Sequence, residues 1–168
     1  LKLGSSNSET VVLNDGEEIR SRIIISINEA KFTIYVAVAF FTDRGIADAL
    51  VKANKRGVNV QVVISNAQMN SDIRSILANN NLVIYQVEDR LMHAKFMVID
   101  DVKVINGSYN YTLKASRENK EVVNIAEGKE VGDYKSIFMS IIEGLTPVPP
   151  DEDGIANSAN LDVDQGMF

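Results

Sequence analysis

Apolar runs and helical segments alternate through the first half of the chain, and this alternation limits the folds that it can adopt. Short apolar runs rich in β-branched residues occupy positions 32–41, 58–65 and 82–87. Segments with helical periodicity lie between them, at 43–56 and 71–79. A βαβαβ order of this kind predicts parallel strands joined by right-handed crossovers. We therefore predict an α/β fold with a mixed, largely parallel sheet and helices on both faces.

Two further amphipathic helices bound the predicted domain. Ile19, Ile23 and Ile27 recur at four-residue spacing and indicate a helix from a cap at Asn14 or Asp15 to about Glu29. A last helix over 131–145 should direct five apolar side chains to the core: Tyr134, Ile137, Phe138, Ile141 and Ile142. We predict a domain over residues 14–145, preceded by a linker at 1–13 and followed by an acidic, proline-containing tail or linker at 146–168.

The charge of the chain is concentrated at its end. The net charge is −6, from 23 acidic and 17 basic residues, and residues 146–168 hold five of the acidic residues and no basic one. Once these five are set aside, 18 acidic and 17 basic residues remain, so the predicted domain is nearly neutral. Charge alone therefore does not exclude a phosphodiester substrate.

The composition excludes several kinds of catalytic and metal-binding chemistry. There is no cysteine and only one histidine, which excludes disulfides, thiolate catalysis and a metal site with several histidines from one chain. No calcium-loop pattern is present, and we expect neither a metal nor a cofactor. No apolar run approaches the roughly 20 residues of a membrane span, and a cytoplasmic location is the default expectation.

The single histidine lies in the most informative stretch, residues 92–112, which read MHAKFMVIDDVKVINGSYNYT. On a strand, His93 and Lys95 would project from the same face, because side chains alternate. The turn at Gly107 and Ser108 offers backbone N–H groups to an anion, and Asn110 adds a side-chain donor. A nucleophilic ring nitrogen, a cation and an amide in one pocket suit the handling of phosphate. We interpret the neighbouring Tyr109 and Tyr111 as core residues.

The spacing H-x-K-x4-D-x6-G-S-x-N in this stretch resembles the HKD signature of the phospholipase D superfamily. Each of its positions is filled, by His93, Lys95, Asp100, Gly107, Ser108 and Asn110. The match is closest to the branch with a single motif, which includes small endonucleases and cardiolipin hydrolases.

The resemblance implies a role for each matching residue. His93 would be the nucleophile, Lys95 and Asn110 would hold the phosphate oxygens, and Glu121 would orient the histidine. Asp100 would be structural. We expect substrate contacts from Gly107, Ser108 and Lys114, the last beside the basic residues Arg117 and Lys120.

Three functions agree with these features. The first is a metal-independent phosphodiesterase that acts on DNA or RNA through a phosphohistidine. The second is a phospholipase or cardiolipin hydrolase, and the third is a binding module without turnover. Since family members use two HKD motifs and this chain has one, the resemblance implies a homodimer with the active site on its two-fold axis.

Overall fold

The computed structural model describes residues 9–152, and a mixed seven-stranded sheet forms its centre. The strand order is β1-β7-β6-β5-β2-β3-β4. The strands are β1 (Thr10–Leu13), β2 (Thr33–Val38), β3 (Asn59–Ser65), β4 (Val83–Val87), β5 (Lys95–Ile99), β6 (Lys103–Gly107) and β7 (Val123–Ala126).

Within the described residues, five α-helices cover the two faces of this sheet. They are α1 (Gly16–Glu29), α2 (Arg44–Lys55), α3 (Ser71–Asn79), α4 (Leu113–Arg117) and α5 (Glu130–Ile142). The larger core includes buried side chains of α1 to α4 and of the facing strand positions, such as Ile34 and Val36. The alternate positions, such as Tyr35 and Ala37, face α5. Helices therefore lie on both faces, as predicted.

The sheet is mixed, as predicted, but it contains fewer parallel pairs than expected. β2 pairs in parallel with β3, and β3 with β4, through the crossovers α2 and α3. The other four pairings are antiparallel. The reason is that β5 follows β4 through a connection without a helix and inserts beside β2, not beside β4. The hairpin β5–β6 and strand β7 then extend that side of the sheet.

The predicted helices form where the caps and apolar spacings indicate. The Asp15 side chain accepts a hydrogen bond from the Glu18 N–H at 2.9 Å, and Asp43 caps α2 through the N–H groups of Gly45 and Ile46. One predicted core position on α5 is wrong. Ile137 is 48% exposed because it lies on the side of α5 that faces away from the sheet.

The two ends of the described chain lie at opposite sides of the sheet. Thr10–Leu13 forms β1 and pairs with β7, so the linker predicted over residues 1–13 is wrong for these four residues. Their own β-branched side chains and a free edge on β7 suffice for a short strand. After α5, the Val148 N–H donates to the Ile84 carbonyl of the edge strand β4 at 2.7 Å. Residues 153–168 of the predicted tail lie outside the described residues.

Within residues 9–152, no helix combines the length and the apolar character needed to cross a bilayer.

Candidate active site

Four strand ends meet at one side of the sheet, the side formed by the ends of strands and not by an edge strand. This side contains the carboxyl end of β2, the start of β5, the end of β6 and the start of β7. Lys95 pairs with Val38 across β5 and β2, and Gly107 pairs with Val123 across β6 and β7. The carboxyl ends of parallel strands are where ligands bind in open α/β sheets. The fold therefore brings both halves of the 92–112 stretch to a side suited to a site.

His93 and Lys95 lie at the entrance to β5. The strand begins at Lys95, so His93 lies just outside it and is exposed. The Lys95 Nζ atom donates to the His93 backbone carbonyl at 2.7 Å. Partial burial lowers the pKa of Lys95 below its ordinary value, and the charge of the nearby Glu121 carboxylate opposes that shift. Lys95 is therefore a partly desolvated cation bound to the backbone of His93, whose imidazole is exposed.

Gly107 ends β6 where the backbone of β7 approaches most closely. Its φ of +153° lies in a region that glycine adopts readily and other residues adopt rarely. A Cβ atom at this position would overlap the Val122 carbonyl oxygen. The glycine therefore permits the pairing of β6 with β7 that carries Ser108 and Glu121.

Gly107→Ala should destabilise the protein by at least about 3 kcal/mol, because it adds a backbone clash to an unfavourable φ. Gly57→Ala is the matched control, since Gly57 also has a positive φ, of +99°, but has no atom near the added Cβ. The control should lose only about 1–2 kcal/mol. Denaturant unfolding measures both, and equal losses would contradict the steric role of Gly107.

Ser108 and Glu121 bind each other. The Ser108 hydroxyl donates to one oxygen of the Glu121 carboxylate and accepts from the Val122 N–H at 3.0 Å. Asn119 donates to the other carboxylate oxygen at 3.2 Å. Glu121 is buried, with 7% of its surface exposed. The structure thus brings Glu121 to the site, but its hydrogen bonds run to Ser108 and Asn119, and none runs to His93 among the described residues.

Asn110 is held against the loop that follows β2. Its Oδ1 atom accepts from the Phe40 N–H at 3.3 Å. The adjacent Tyr111 N–H donates to the Phe40 carbonyl at 3.0 Å. With its oxygen occupied, the Asn110 side chain has its NH2 group left to bind an anion. Tyr109 and Tyr111, each 2% exposed, lie in the core as predicted.

Two of the predicted residues lie away from this group. Lys114 is exposed on α4, beyond the turn that contains Asn110. Asp100 lies at the opposite end of β5, where its carboxylate accepts from the N–H groups of Lys31, Phe32 and Thr33. Burial alone would raise the pKa of Asp100, but these three donors lower it below its ordinary value.

Sequence reasoning missed two polar groups that support the site. Asn70 is fully buried and binds the backbone on both sides of Phe40. Arg20 forms a two-pronged ion pair with the buried Asp43, with N–O distances of 2.6 and 2.9 Å. Burial alone would raise the pKa of Asp43, but Arg20 holds it below its usual range. No local sequence signal marks either group, because most of their partners lie more than 20 positions away.

The fold and this grouping of a histidine, a lysine, an amide and a carboxylate define a phospholipase D-like α/β domain. Residues 23–142 match the family model described as "Cardiolipin synthase, PLD-like domain". The chain therefore belongs to this phospholipase D-like family.

Its relatives by sequence are hydrolases of this family. The mitochondrial cardiolipin hydrolase of Danio rerio is 30% identical over 132 residues, which are 76% of this chain and 58% of that protein. The phospholipase D of Rickettsia conorii is 30% identical over 110 residues, which are 64% of this chain and 55% of that protein. The chain thus spans little more than half the length of these relatives.

Solved structures share the fold. The phospholipase D family member Nuc from Salmonella typhimurium superposes with a TM-score of 0.78 at 24% identity, covering 85% of this chain and 99% of its own. NucT from Helicobacter pylori has a TM-score of 0.77 at 21% identity, covering 84% and 100%.

Proposed function

We propose that this chain is a phosphodiesterase that cleaves nucleic acid through a phosphohistidine formed on His93. The observation that carries the proposal is the meeting of the β5 entrance with the turn after β6 at one side of the sheet. An exposed imidazole, a partly desolvated ammonium group and an anchored amide lie on these two segments. A phosphoryl group needs these three kinds of partner: a nucleophile, a cation and a hydrogen-bond donor.

The proposed reaction has two displacements at phosphorus. A ring nitrogen of His93 attacks the phosphorus atom, and the bond from phosphorus to the leaving oxygen breaks. That oxygen takes a proton from a second acid. Water, deprotonated by the same group, then attacks the phosphohistidine, and the N–P bond breaks to release a phosphomonoester and free His93. Lys95 and the Asn110 NH2 group stabilise the charge on the non-bridging oxygens in both steps.

The second acid is proposed to come from a second copy of the chain. The chain has one histidine, and none of the hydrogen bonds among residues 9–152 engages its ring. A homodimer with His93 on each side of the two-fold axis supplies both groups from one sequence.

Exposed cations that follow the Asn110 turn in the chain favour nucleic acid as the substrate. Lys114, Arg117 and Lys120 are exposed on α4 and in the segment that leads to β7. Cations in such positions can contact successive phosphates of a polynucleotide backbone. Cardiolipin is the second candidate, because relatives at 30% identity bear the name of cardiolipin hydrolase.

The purified protein should hydrolyse a chromogenic phosphodiester and single-stranded DNA at rates that excess chelator does not change. The reason is that Lys95, rather than a metal ion, provides the positive charge at phosphorus. The assay compares the small diester, DNA, RNA and cardiolipin vesicles side by side, each with and without chelator. Loss of activity with chelator and its return with magnesium would contradict this mechanism.

The same assay separates the three candidate functions. Cleavage of cardiolipin with intact DNA and RNA would replace the nuclease proposal by the lipid hydrolase. Turnover of no substrate, together with binding of DNA or vesicles, would favour the binding module.

A further inference from the structure

The buried amide of Asn70 has an unusual set of partners for its place in the chain. Asn70 ends a short 3₁₀ helix (Gln68–Asn70) and immediately precedes α3, a place where asparagine often accepts a hydrogen bond from the first turn of the following helix. Here the side chain makes no such bond. It points instead into the core beneath the loop that follows β2, and it is fully buried.

All three hydrogen bonds of this side chain go to backbone near the site. Its Oδ1 atom accepts from the Phe41 N–H at 2.8 Å, and its Nδ2 group donates to the carbonyls of Ala39 and Ser65 at 2.9 Å each. The Ser65 hydroxyl also donates to the Ala39 carbonyl. The amide orientation follows from these partners, since a backbone N–H needs an acceptor and the carbonyls need donors.

Phe40 lies between the two residues of this loop that Asn70 binds. Its N–H donates to Oδ1 of Asn110, and its carbonyl accepts from the Tyr111 N–H. Asn70 therefore holds the backbone at Ala39 and Phe41 from inside, while Phe40 presents both of its backbone groups to the turn that carries Asn110. Two further hydrogen bonds hold Tyr111, because its carbonyl accepts from the N–H groups of Thr42 and Asp43.

We propose that Asn70 is a positioning residue that acts through Phe40 to orient the Asn110 amide toward the substrate phosphate. The catalytic effect of this positioning rests on the proposed function. A fully buried side chain with three bonds to main chain has little freedom to move, so the acceptor bond from Phe40 to Asn110 is held in one geometry. That bond selects which end of the Asn110 amide faces the substrate.

Asn70→Ala should lower kcat by about 10- to 100-fold with KM within about threefold, because small displacements of an aligned group cost turnover more than binding. Arg56→Ala is the control. Arg56 also donates hydrogen bonds to buried backbone, to the carbonyls of Ile27 and Ala30. These contacts lie at the end of the sheet away from the site. The control should lower the unfolding midpoint and leave kcat per folded molecule unchanged.

A double-mutant cycle with Asn110→Ala distinguishes positioning from general loss of structure. If Asn70 acts through Asn110, the double variant should turn over no more slowly than Asn110→Ala alone. Multiplied losses in the double variant would overturn the proposal. If Asn70→Ala fails to fold, Asn70→Ser takes its place in the same cycle.

A second readout does not depend on catalysis. The side-chain NH2 resonances of Asn110, assigned by their disappearance in Asn110→Ala, should shift in the Asn70 variant and stay in place in Arg56→Ala. Unchanged resonances in the Asn70 variant would overturn the positioning role. A wild-type protein without phosphodiesterase activity would defeat the proposed function, and these resonances would still decide the role of Asn70.

Discussion

His93→Ala should lose phosphodiesterase turnover by at least about 1,000-fold, because it removes the nucleophile of the first displacement and so the phosphohistidine that the second displacement consumes. The variant should nevertheless fold normally. The His93 side chain is exposed, and the contact with Lys95 runs to the His93 backbone carbonyl, which alanine keeps. We therefore expect its free energy of unfolding to change by less than about 0.5 kcal/mol, as for other surface substitutions.

Val102→Ala is the matched control for this prediction. Val102 is also exposed, at 60%, and lies just beyond the other end of β5. It should retain full activity. Steady-state rates on the small diester and denaturant unfolding measure the two properties separately. A folded His93→Ala protein with rates near those of the wild type would exclude His93 as the nucleophile. Rapid quenching at high pH followed by mass spectrometry should find the phosphoryl adduct on His93 in the wild type only.

The central βαβαβ unit could be predicted because its signals are local. The apolar runs correspond to β2, β3 and β4, and the helix α3 has the predicted bounds of Ser71–Asn79. Each of these elements combines one hydrophobic period with its own cap or stop, so no distant contact is needed to recognise it.

The position of β5 could not be predicted in this way. Sequence order suggests that the strand after β4 pairs with β4, but β5 pairs with β2 and runs antiparallel to it. The pairing partner of β5 depends on which side of the sheet is free once the crossover helices have packed. The residues of the connection, 88–94, carry no sequence signal for that side. β1 was missed for a related reason. Its four residues gain a partner only from β7, more than 100 positions later.

The candidate site likewise contains residues with a local sequence signal and residues whose roles depend on distant contacts. The spacing of the HKD motif predicted His93, Lys95 and Asn110 as site residues, and the fold brings their segments to the same end of the sheet. The partners of Glu121 were not predicted, because Ser108 competes for its carboxylate across the β6–β7 pairing. Asn70 was missed because an asparagine at the start of a helix ordinarily indicates a cap. Two of its three actual partners, Ala39 and Phe41, lie about 30 positions earlier in the chain.

The dimer proposal makes the second prediction with a large expected effect on activity. The exposed ring of His93 has no hydrogen bond within residues 9–152, so a partner subunit would complete a site that one chain leaves open. Light scattering should give twice the chain mass of 18.5 kDa. An interface of at least about 1,000 Å² is expected for a stable pair.

Mixing wild type with folded His93→Ala protein tests whether both histidines serve one reaction. If each site needs two, subunit exchange at a ninefold excess of the variant should reduce activity per wild-type chain to about one tenth, since only about that share pairs with another wild-type chain. Val102→Ala in the same excess is the control for subunit exchange; because this variant is itself active, the activity per total chain should stay unchanged. If each chain instead works alone, activity per wild-type chain stays constant at every ratio. Constant activity, or full activity in a monomer, would therefore contradict a shared site and require the second proton-transfer group to come from the same chain as the nucleophile.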